Sequence, residues 1–269
     1  MNRLRNVFAQ LLTNTRRGLL PYITAGYPDI DTTIAILKRL DTRQCACVEL
    51  GIPYSDSIAD GPVIQTSFTR ALAAGFRLDN LITALTRHRN QIRVPLIAMV
   101  SYSIVYRRDP ARFVRTAQAA GIDGLIVPDL VIEEADELVT VAREHDCPLI
   151  MMIAPTTTPD RSQRIAAISE PFIYYQSITG VTGERNTLPA DLSVRIKQLQ
   201  QDHGKPVCVG FGISQPEQVA AVCQVADGAI VGSAIVRCMN AAVEDNAAPE
   251  QIAEAVSTLI THLASKLPN

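Results

Sequence analysis

Eight short apolar runs rich in β-forming residues recur along the chain, and each is followed by turn residues and a segment of helical period. Alternation of this kind predicts parallel strands joined by helices, because a parallel pair needs a long crossover connection. The predicted strands are residues 19–24, 45–50, 96–100, 124–127, 149–153, 172–176, 206–209 and 228–231. The predicted helices are residues 30–40, 62–74, 110–120, 133–144, 160–168, 190–201, 215–222 and 248–263. Eight such units predict a closed (β/α)8 barrel.

A doubly wound open sheet is the alternative architecture, since it uses the same alternation. Its usual fingerprint, G-x-G-x-x-G directly after the first strand, is absent, and residues 24–28 read TAGYP instead. A length of 269 residues suits one α/β barrel, and no linker or low-complexity stretch divides the sequence. We therefore predict a single-domain TIM barrel over residues 1–269.

The N-terminal segment predicts an extra helix before the first strand. Apolar residues recur there at helical spacing, at Leu4, Val7, Phe8, Leu11 and Leu12. Gly18 ends the pattern. Residues 1–28 also hold four arginines and no acid, a bias seen in organellar transit peptides. We favour a short amphipathic helix packed on the barrel.

Composition narrows the classes of partner. Lysine plus arginine total 25 and aspartate plus glutamate 27, so the formal net charge of −2 lacks the basic surface of a nucleic-acid-binding protein. No apolar run approaches the roughly 18 residues that a membrane span requires. The six cysteines show no paired or metal-binding spacing, which favours a reducing compartment. We expect a cytoplasmic protein with neither a nucleic-acid nor a membrane partner.

Two candidate catalytic acids lie in the second predicted strand and in the loop after it. This is the end of the strand at which barrel enzymes carry their active sites. Alternation places Glu49 on one face with Cys45 and Cys47, and an acid within an apolar run is costly unless it has a function. If that face is the barrel interior, burial would raise the Glu49 pKa toward that of a general acid and base; a solvated or helix-capping carboxylate is the alternative. Asp60 precedes a Gly-Pro pair, so it either caps a helix or leans into the barrel mouth and accepts a substrate N–H.

Glycine-rich turns follow the last three predicted strands, at residues 180–183, 210–212 and 232–233. Backbone N–H groups left free there, with the positive end of a short helix beginning at Ser233, predict a phosphate site. TIM barrels usually place a phosphate site in the loops after strands 7 and 8. Tight βα turns would explain any one of these segments, but the explanation weakens when three adjacent loops share the pattern.

The sequence lacks the catalytic residues that several enzyme classes require. None of the four lysines lies in a predicted strand, so a Schiff-base aldolase has no nucleophile. The four histidines fall in predicted helices or at helix ends without ligand spacing, which argues against a metal-dependent aldolase or a zinc hydrolase. Dinucleotide and Walker motifs are absent as well. Phosphate anchoring combined with carboxylate acid and base chemistry remains.

The segment that carries both acids resembles a known family signature. Residues 49–65, ELGIPYSDSIADGPVIQ, resemble the tryptophan synthase α subunit pattern ELG-x-P-F/Y-SDP-x-ADGP-x-IQ. Further matching segments are residues 21–29, 121–124, 128–130, 154–157, 180–183, 210–213 and 231–236. The resemblance covers essentially the whole chain in order. It implies a (β/α)8 lyase that cleaves indole-3-glycerol phosphate to indole and glyceraldehyde 3-phosphate.

The resemblance also implies a role for each matching residue. Glu49 would be the general acid and base, and Asp60 would hold the indole N–H. The implied substrate-binding residues are Tyr22, Val100, Tyr102, Tyr174 and Thr182. The implied phosphate-binding residues are Gly183, Gly212, Gly232 and Ser233. Tyr22, Val100 and Tyr102 would form walls for the indole, and Thr182 would orient Glu49 from a mobile lid at residues 177–189. The implied chemistry needs no metal and no organic cofactor in this chain.

The partner implied by the resemblance is a β subunit that carries pyridoxal phosphate and receives indole through a tunnel, in an α2β2 assembly. Two departures from the family pattern bear on this coupling. Ser57 stands where the family usually has proline, which would loosen the loop before Asp60, and Ile104 stands where asparagine often occurs. Both would lie in partner-facing loops. A stand-alone lyase, another phosphosugar barrel enzyme and a noncatalytic scaffold that activates the β subunit remain alternatives.

Overall fold

The computed structural model describes residues 2–57, 60–177, 191–210 and 212–268, which form nine parallel strands. The strands are β1 (Gly18–Thr24), β2 (Val48–Gly51), β3 (Leu96–Met99), β4 (Gly124–Ile126), β5 (Leu149–Ile150), β6 (Met152–Ile153), β7 (Ile173–Gln176), β8 (Val207–Gly210) and β9 (Gly228–Val231). Their order is β5-β4-β3-β2-β1-β9-β8-β7-β6. β5 and β6 are consecutive pieces of one segment, interrupted only at Met151, and they pair with β4 and β7 respectively. That segment brings the two ends of the sheet together, and the predicted barrel is confirmed.

Twelve α-helices surround the strands in the described part of the chain. They are α1 (Arg3–Thr13), α2 (Ile30–Arg39), α3 (Pro62–Ala73), α4 (Leu78–His88), α5 (Tyr102–Arg107), α6 (Pro110–Ala119), α7 (Asp136–Glu144), α8 (Pro159–Ile168), α9 (Leu192–His203), α10 (Pro216–Cys223), α11 (Ser233–Glu244) and α12 (Pro249–Ala264). Asp29 caps α2 by accepting the Thr32 N–H at 2.7 Å, and proline begins α3, α6, α8, α10 and α12. Among the described residues, no helix combines the length and the apolar character needed to cross a membrane.

The pattern of the sequence missed two of these helices. β2 is followed by both α3 and α4, and β3 by both α5 and α6, whereas one helix per strand was predicted. The α4 helix buries Leu78, Leu81 and Leu85, whose helical spacing is visible in the sequence. One helix after each strand is enough to complete the barrel pattern, so α4 is an addition that the pattern does not require.

The side chains of the strands divide between two layers. In β3, Ile97 and Met99 pack inward, whereas Leu96 and Ala98 pack outward against the helices. The interior cluster of the strands and their ends contains Leu20, Ala46, Cys47, Ile97, Ile126, Ile150, Phe172, Tyr174, Cys208 and Ile230. The outer cluster joins the other faces of the strands to the helices. The barrel interior is therefore a packed core rather than a pore.

Helix α1 closes the amino-terminal end of the barrel. Leu4 and Phe8 are buried, and the Phe8 ring stacks on Phe172 with 4.6 Å between centroids. Arg3 forms a 2.7 Å ion pair with Asp123, the residue that precedes β4. The predicted N-terminal helix is confirmed, and its position leaves the carboxyl ends of the strands as the place for a site.

Candidate active site

Glu49 lies on β2 and faces the barrel interior. Its backbone pairs in register with Tyr22 of β1 and Ile97 of β3, and its side chain is completely buried. Neither carboxylate oxygen has a hydrogen-bond partner among the described residues. Burial raises the pKa of Glu49 from its ordinary value of 4.5 to about 8. The group is therefore protonated at neutral pH.

The alternation predicted for this segment holds for Cys47 but fails for Cys45. Cys47 lies in the interior cluster, whereas Cys45 packs in the outer cluster. The reason is that β2 begins only at Val48, so the period of two residues does not extend back to Cys45. Glu49 keeps its interior position because Val48 and Leu50 both pack outward.

Asp60 is positioned by the first turn of α3 rather than capping it. The N-cap of α3 is Gly61, and no side chain makes a capping hydrogen bond there, so the alternative of a capping Asp60 is wrong. The Gln65 side chain instead donates from Nε2 to the carbonyl oxygens of Ser57, at 3.0 Å, and Asp60, at 2.9 Å. The Asp60 N–H also donates to the Ser57 carbonyl at 3.1 Å. The Gln65 side chain thus fixes the backbone positions of both Ser57 and Asp60.

Glu49 and Asp60 both affect the pKa values of Tyr22 and Tyr174, so the four side chains lie around a common space. Burial, and then the negative charges of Asp60 and Glu49, raise the pKa of Tyr22 well above its ordinary value. Burial, and then Glu49 and Asp60, raise the pKa of Tyr174 in the same way. Burial raises the pKa of Asp60 itself from 3.8 to about 6. At pH 7 the site therefore combines a protonated carboxyl group with a carboxylate that is largely ionised.

An apolar cluster lies beside these acids. Its buried members are Tyr22, Ile64, Phe68 and Val236, from β1, α3 and α11. Tyr54 and Met99 pack against them, and the Tyr54 and Phe68 rings are 5.6 Å apart. Sequence reasoning gave no role to Tyr54, Ile64, Phe68, Met99 or Val236. The i, i+4 spacing of Ile64 and Phe68 just after Asp60 was the available signal. A surface of this kind suits a planar aromatic ligand.

The structure places Val100 and Tyr102 apart from the cluster around Tyr22, and their roles as walls of the site stay predictions. β3 ends at Met99, whose side chain points inward, so Val100 packs in the outer cluster beneath the helices. Tyr102 is the first residue of α5, is partly buried, and packs against the same outer cluster. Its ring lies 6.1 Å from that of Tyr106. Alternation makes Met99, which packs beside Tyr22, a further candidate wall residue on this strand.

Tyr174 faces the barrel interior from β7. Its backbone pairs with Met152 on one side and Cys208 on the other. The hydroxyl lies over Gly210, where an added Cβ would come within 2.7 Å of Tyr174 Oη. Glycine at position 210 is thus required by this close approach. Tyr174 lies close enough to Glu49 for its charge to raise the pKa of the tyrosine.

Two of the predicted phosphate-binding turns lie side by side at the ends of β8 and β9. The strands pair with Gly210 opposite Ile230, so Gly212 and Gly232, two residues further on, lie at neighbouring strand ends. Gly212 has a φ of +46°, in the left-handed region that glycine accommodates. Gly232 is the N-cap of α11 and Ser233 is its first residue. The N–H groups and positive end of this 12-residue helix therefore point to the corner that the turns form.

Thr182 and Gly183 lie outside the described residues, as does the predicted lid beyond Ser177. Ser177 itself donates through Oγ to the Gly210 carbonyl at 3.0 Å. This bond ties the end of β7 to the end of β8. The roles of Thr182 and Gly183 stay predictions.

Ser57, a departure from the family pattern, is only 6% exposed. Its carbonyl accepts hydrogen bonds from the Asp60 N–H and from the Gln65 side chain. The loosening effect of this departure stays a prediction. Ile104 lies on α5, partly buried against the outer cluster.

Comparisons with known proteins agree with this geometry. The family model described as tryptophan synthase alpha chain matches residues 8–265. The tryptophan synthase alpha chain of Rhodopirellula baltica is 47% identical over 247 residues, which cover 91% of this chain and 89% of that relative. The structure of tryptophan synthase subunit alpha from Legionella pneumophila has a TM-score of 0.89 at 32% identity, covering 99% of this chain and 98% of that one. A chain of the tryptophan synthase complex from Pyrococcus furiosus has a TM-score of 0.81 at 31% identity, covering 93% and 98%. This chain belongs to the tryptophan synthase alpha chain family.

Proposed function

We propose that Glu49 and Asp60 carry out the reaction of this chain. As a tryptophan synthase α subunit, the chain is a lyase of tryptophan biosynthesis, which cleaves indole-3-glycerol phosphate to indole and D-glyceraldehyde 3-phosphate. The observation that carries the proposal is the completely buried Glu49 carboxyl group, which has no hydrogen-bond partner among the described residues and shares a space with Asp60. A buried acid without a partner is costly, and a substrate that exchanges a proton with it supplies the reason for that cost.

The raised pKa values match the two carboxyl groups to different tasks. Glu49 is protonated at pH 7 and donates its proton to the indole C3, which converts the ring into an indolenine that carries positive charge. Asp60 is largely ionised at pH 7, so it accepts the indole N–H and stabilises that charge. Two carboxyl groups whose burial differs can therefore work as acid and as electrostatic partner in one site.

Glu49 then acts as the base. Its carboxylate removes the proton of the glycerol hydroxyl while the bond between C3 and the chain breaks. The electron pair of that bond returns to the indole ring, the hydroxyl carbon becomes the aldehyde of glyceraldehyde 3-phosphate, and Glu49 is protonated again. A positioned acid or base contributes about 10²- to 10⁴-fold to such a reaction. No group outside this chain is needed to balance the step.

The two ends of the substrate are held by different chemistry. The N–H groups of Gly212, Gly232 and Ser233 bind the phosphate at the start of α11, and Gly183 would add a further N–H group. The cluster around Tyr22 and Phe68 packs against the indole ring. Because both ends of the substrate are held, its reacting carbon is fixed next to Glu49. The free energy of binding is thereby used to orient the substrate for reaction.

The partner of this chain is the tryptophan synthase β subunit, which receives the indole. As the family resemblance implies, we propose that pyridoxal phosphate is bound by that subunit and that this chain needs no cofactor of its own. The loops after β2 and β3 are proposed as part of the docking surface in the α2β2 assembly.

A cytoplasmic location is proposed as well, since the six cysteines are free thiols, which suits a reducing compartment.

The proposed roles are tested by an indole-release assay on indole-3-glycerol phosphate, with and without a β subunit. We expect turnover by the natural protein and near-background turnover by Glu49→Gln. Binding of a phosphate ligand should survive this change, because the carboxyl group is not part of the phosphate site. Glu144→Gln is the matched control, since this exposed glutamate ends α7 and should leave turnover unchanged. Substantial turnover by Glu49→Gln would contradict the role of Glu49.

The same assay separates the alternatives. Strong stimulation by the β subunit identifies a chain that works within tryptophan synthase, and little stimulation in either direction identifies a stand-alone lyase. A natural chain that activates the β subunit without releasing indole would be a scaffold, and the proposed chemistry would then be wrong.

A further inference from the structure

Tyr22 carries a hydroxyl group at a position where the fold requires only an aromatic ring. The side chain faces inward from β1, in register with Glu49 on β2, and its ring packs with Ile64, Phe68 and Val236. Phenylalanine would fill the same space. The hydroxyl group therefore needs an explanation of its own.

The Tyr22 side chain lies between the start of α11 and the end of β2. At its base, the Tyr22 Cβ would lie 3.6 Å from a Cβ added at Gly232, beside the start of α11. At its tip, the hydroxyl lies against Gly51, where an added Cβ would overlap it. The base is thus next to the phosphate corner, and the hydroxyl is at the end of β2, two residues beyond Glu49.

The Tyr22 hydroxyl is buried and makes no hydrogen bond of normal geometry with the described residues, and the same holds for both oxygens of Glu49. The Thr24 hydroxyl lies near enough to lower the pKa of Tyr22 slightly, but it is hydrogen-bonded to Ser67. A buried polar group without a partner costs about 1 to 3 kcal/mol. Three such atoms occur on two side chains that are in register on neighbouring strands. A single polar ligand that lies between them would satisfy all three.

The chemistry of the hydroxyl limits what that ligand atom is. Burial and the nearby carboxylates keep the phenol protonated at neutral pH, so it is a donor. The indole N–H is also a donor, and the charged Asp60 is the stronger acceptor for it. The phosphate binds at the other end of the ring. The oxygens of the glycerol chain are the acceptors that remain.

We propose that Tyr22, besides offering its ring to the substrate, donates a hydrogen bond from its hydroxyl to the glycerol oxygen that loses its proton to Glu49. This inference rests on the proposed function. As Glu49 removes the proton, the oxygen gains negative charge before the carbonyl bond is complete, and a fixed donor stabilises it. The proton of Tyr22 stays on Tyr22 throughout, so the balance of the reaction is unchanged.

Tyr22→Phe tests the proposal in the enzyme assembled with its β subunit. Tyr175→Phe is the matched control, because this neighbour of Tyr174 packs in the outer cluster. We expect kcat to fall about tenfold in Tyr22→Phe, the upper range for one neutral hydrogen bond, with little change in the control. The melting temperature of Tyr22→Phe should equal or exceed that of the natural protein, because the change removes a buried polar atom. An unchanged kcat in Tyr22→Phe would overturn the proposal.

Binding measurements show which substrate atom is involved. In a Glu49→Gln background, which blocks turnover, Tyr22→Phe should weaken binding of indole-3-glycerol phosphate about fivefold, within the range for one neutral hydrogen bond. An analogue with hydrogen in place of the chain hydroxyls should bind equally to both proteins. Equal weakening of both ligands would overturn the proposal, since Tyr22 would then be only a wall. Failure of the natural enzyme to release indole would instead refute the proposed function itself, so the two failures are distinguishable.

Discussion

Replacing Glu49 by glutamine should stabilise the folded chain in a way that depends on pH. The buried carboxyl group holds its proton up to a pKa of about 8, whereas the unfolded chain releases it near 4.5. Between these values the folded state binds more protons than the unfolded state, so stability falls as pH rises through this window. Glutamine has nearly the same shape and does not ionise. The variant therefore lacks this loss of stability.

The magnitude follows from the two pKa values. At 1.36 kcal/mol for each pKa unit, the natural protein loses about 3 kcal/mol between pH 5 and pH 7, and about 5 kcal/mol over the whole window. Asp60 titrates in both proteins, so its contribution cancels from the difference between them. We expect the free energies of unfolding to be similar near pH 4.5 and to separate progressively above it.

Urea unfolding of both proteins at pH 5, 6, 7 and 8 measures this difference. The chain contains no tryptophan, so far-ultraviolet circular dichroism is the suitable signal. Glu144→Gln, which changes an exposed glutamate on α7, controls for the loss of a negative charge. Its free energy of unfolding should vary with pH as that of the natural protein does. A constant difference between Glu49→Gln and the natural protein at all four pH values would show that the carboxyl group titrates normally and that burial does not raise its pKa.

Three further predictions follow from the packing and the hydrogen bonds. Phe8→Ala removes the ring stacked on the base of the barrel and should lower the free energy of unfolding by about 3 to 5 kcal/mol, measured in urea; a loss below about 1 kcal/mol would contradict the role of α1 as a structural plug. Gly51→Ala places a methyl group that would overlap both the Tyr22 hydroxyl and its ring carbon Cζ, so turnover in the indole-release assay should fall strongly, and adding Tyr22→Phe, which keeps the ring, should not restore it. Gln65→Ala removes both hydrogen bonds that hold the segment before Asp60; we expect weaker indole binding with unchanged phosphate binding, and equal loss of both would indicate general unfolding instead.

Much of the fold was predictable because it depends on short stretches of sequence. The apolar runs gave the strands to within a few residues, and the Asp29 and proline signals mark helix starts where the structure has them. The motif around Glu49 and Asp60 pointed to the acids, since their spacing is local. α4 and α5 were missed because the barrel pattern requires only one helix after each strand.

The direction of several side chains near the site depends on where a strand or helix begins or ends, which the sequence pattern does not fix. Alternation grouped Cys45 with Glu49, but β2 starts too late for the alternation to reach Cys45. Met99 occupies the inward position at the end of β3, and the role that the resemblance implies for Val100 stays a prediction. Asp60 was left open between a helix cap and the barrel mouth, and the structure decides against the cap because the chain enters α3 through Gly61.

The sequence by itself determined the alternation of strands and helices, the acids of the site and the glycine turns, because each depends on residues close together in the chain. Only the tertiary structure decided that Glu49 and Tyr22 share a buried space without partners among the described residues, and that Gln65 holds the segment before Asp60. These facts depend on strand register, on closure through residues 149–153 and on which side chains meet across the barrel. Such long-range contacts are set by packing in three dimensions, which the period of a sequence does not encode.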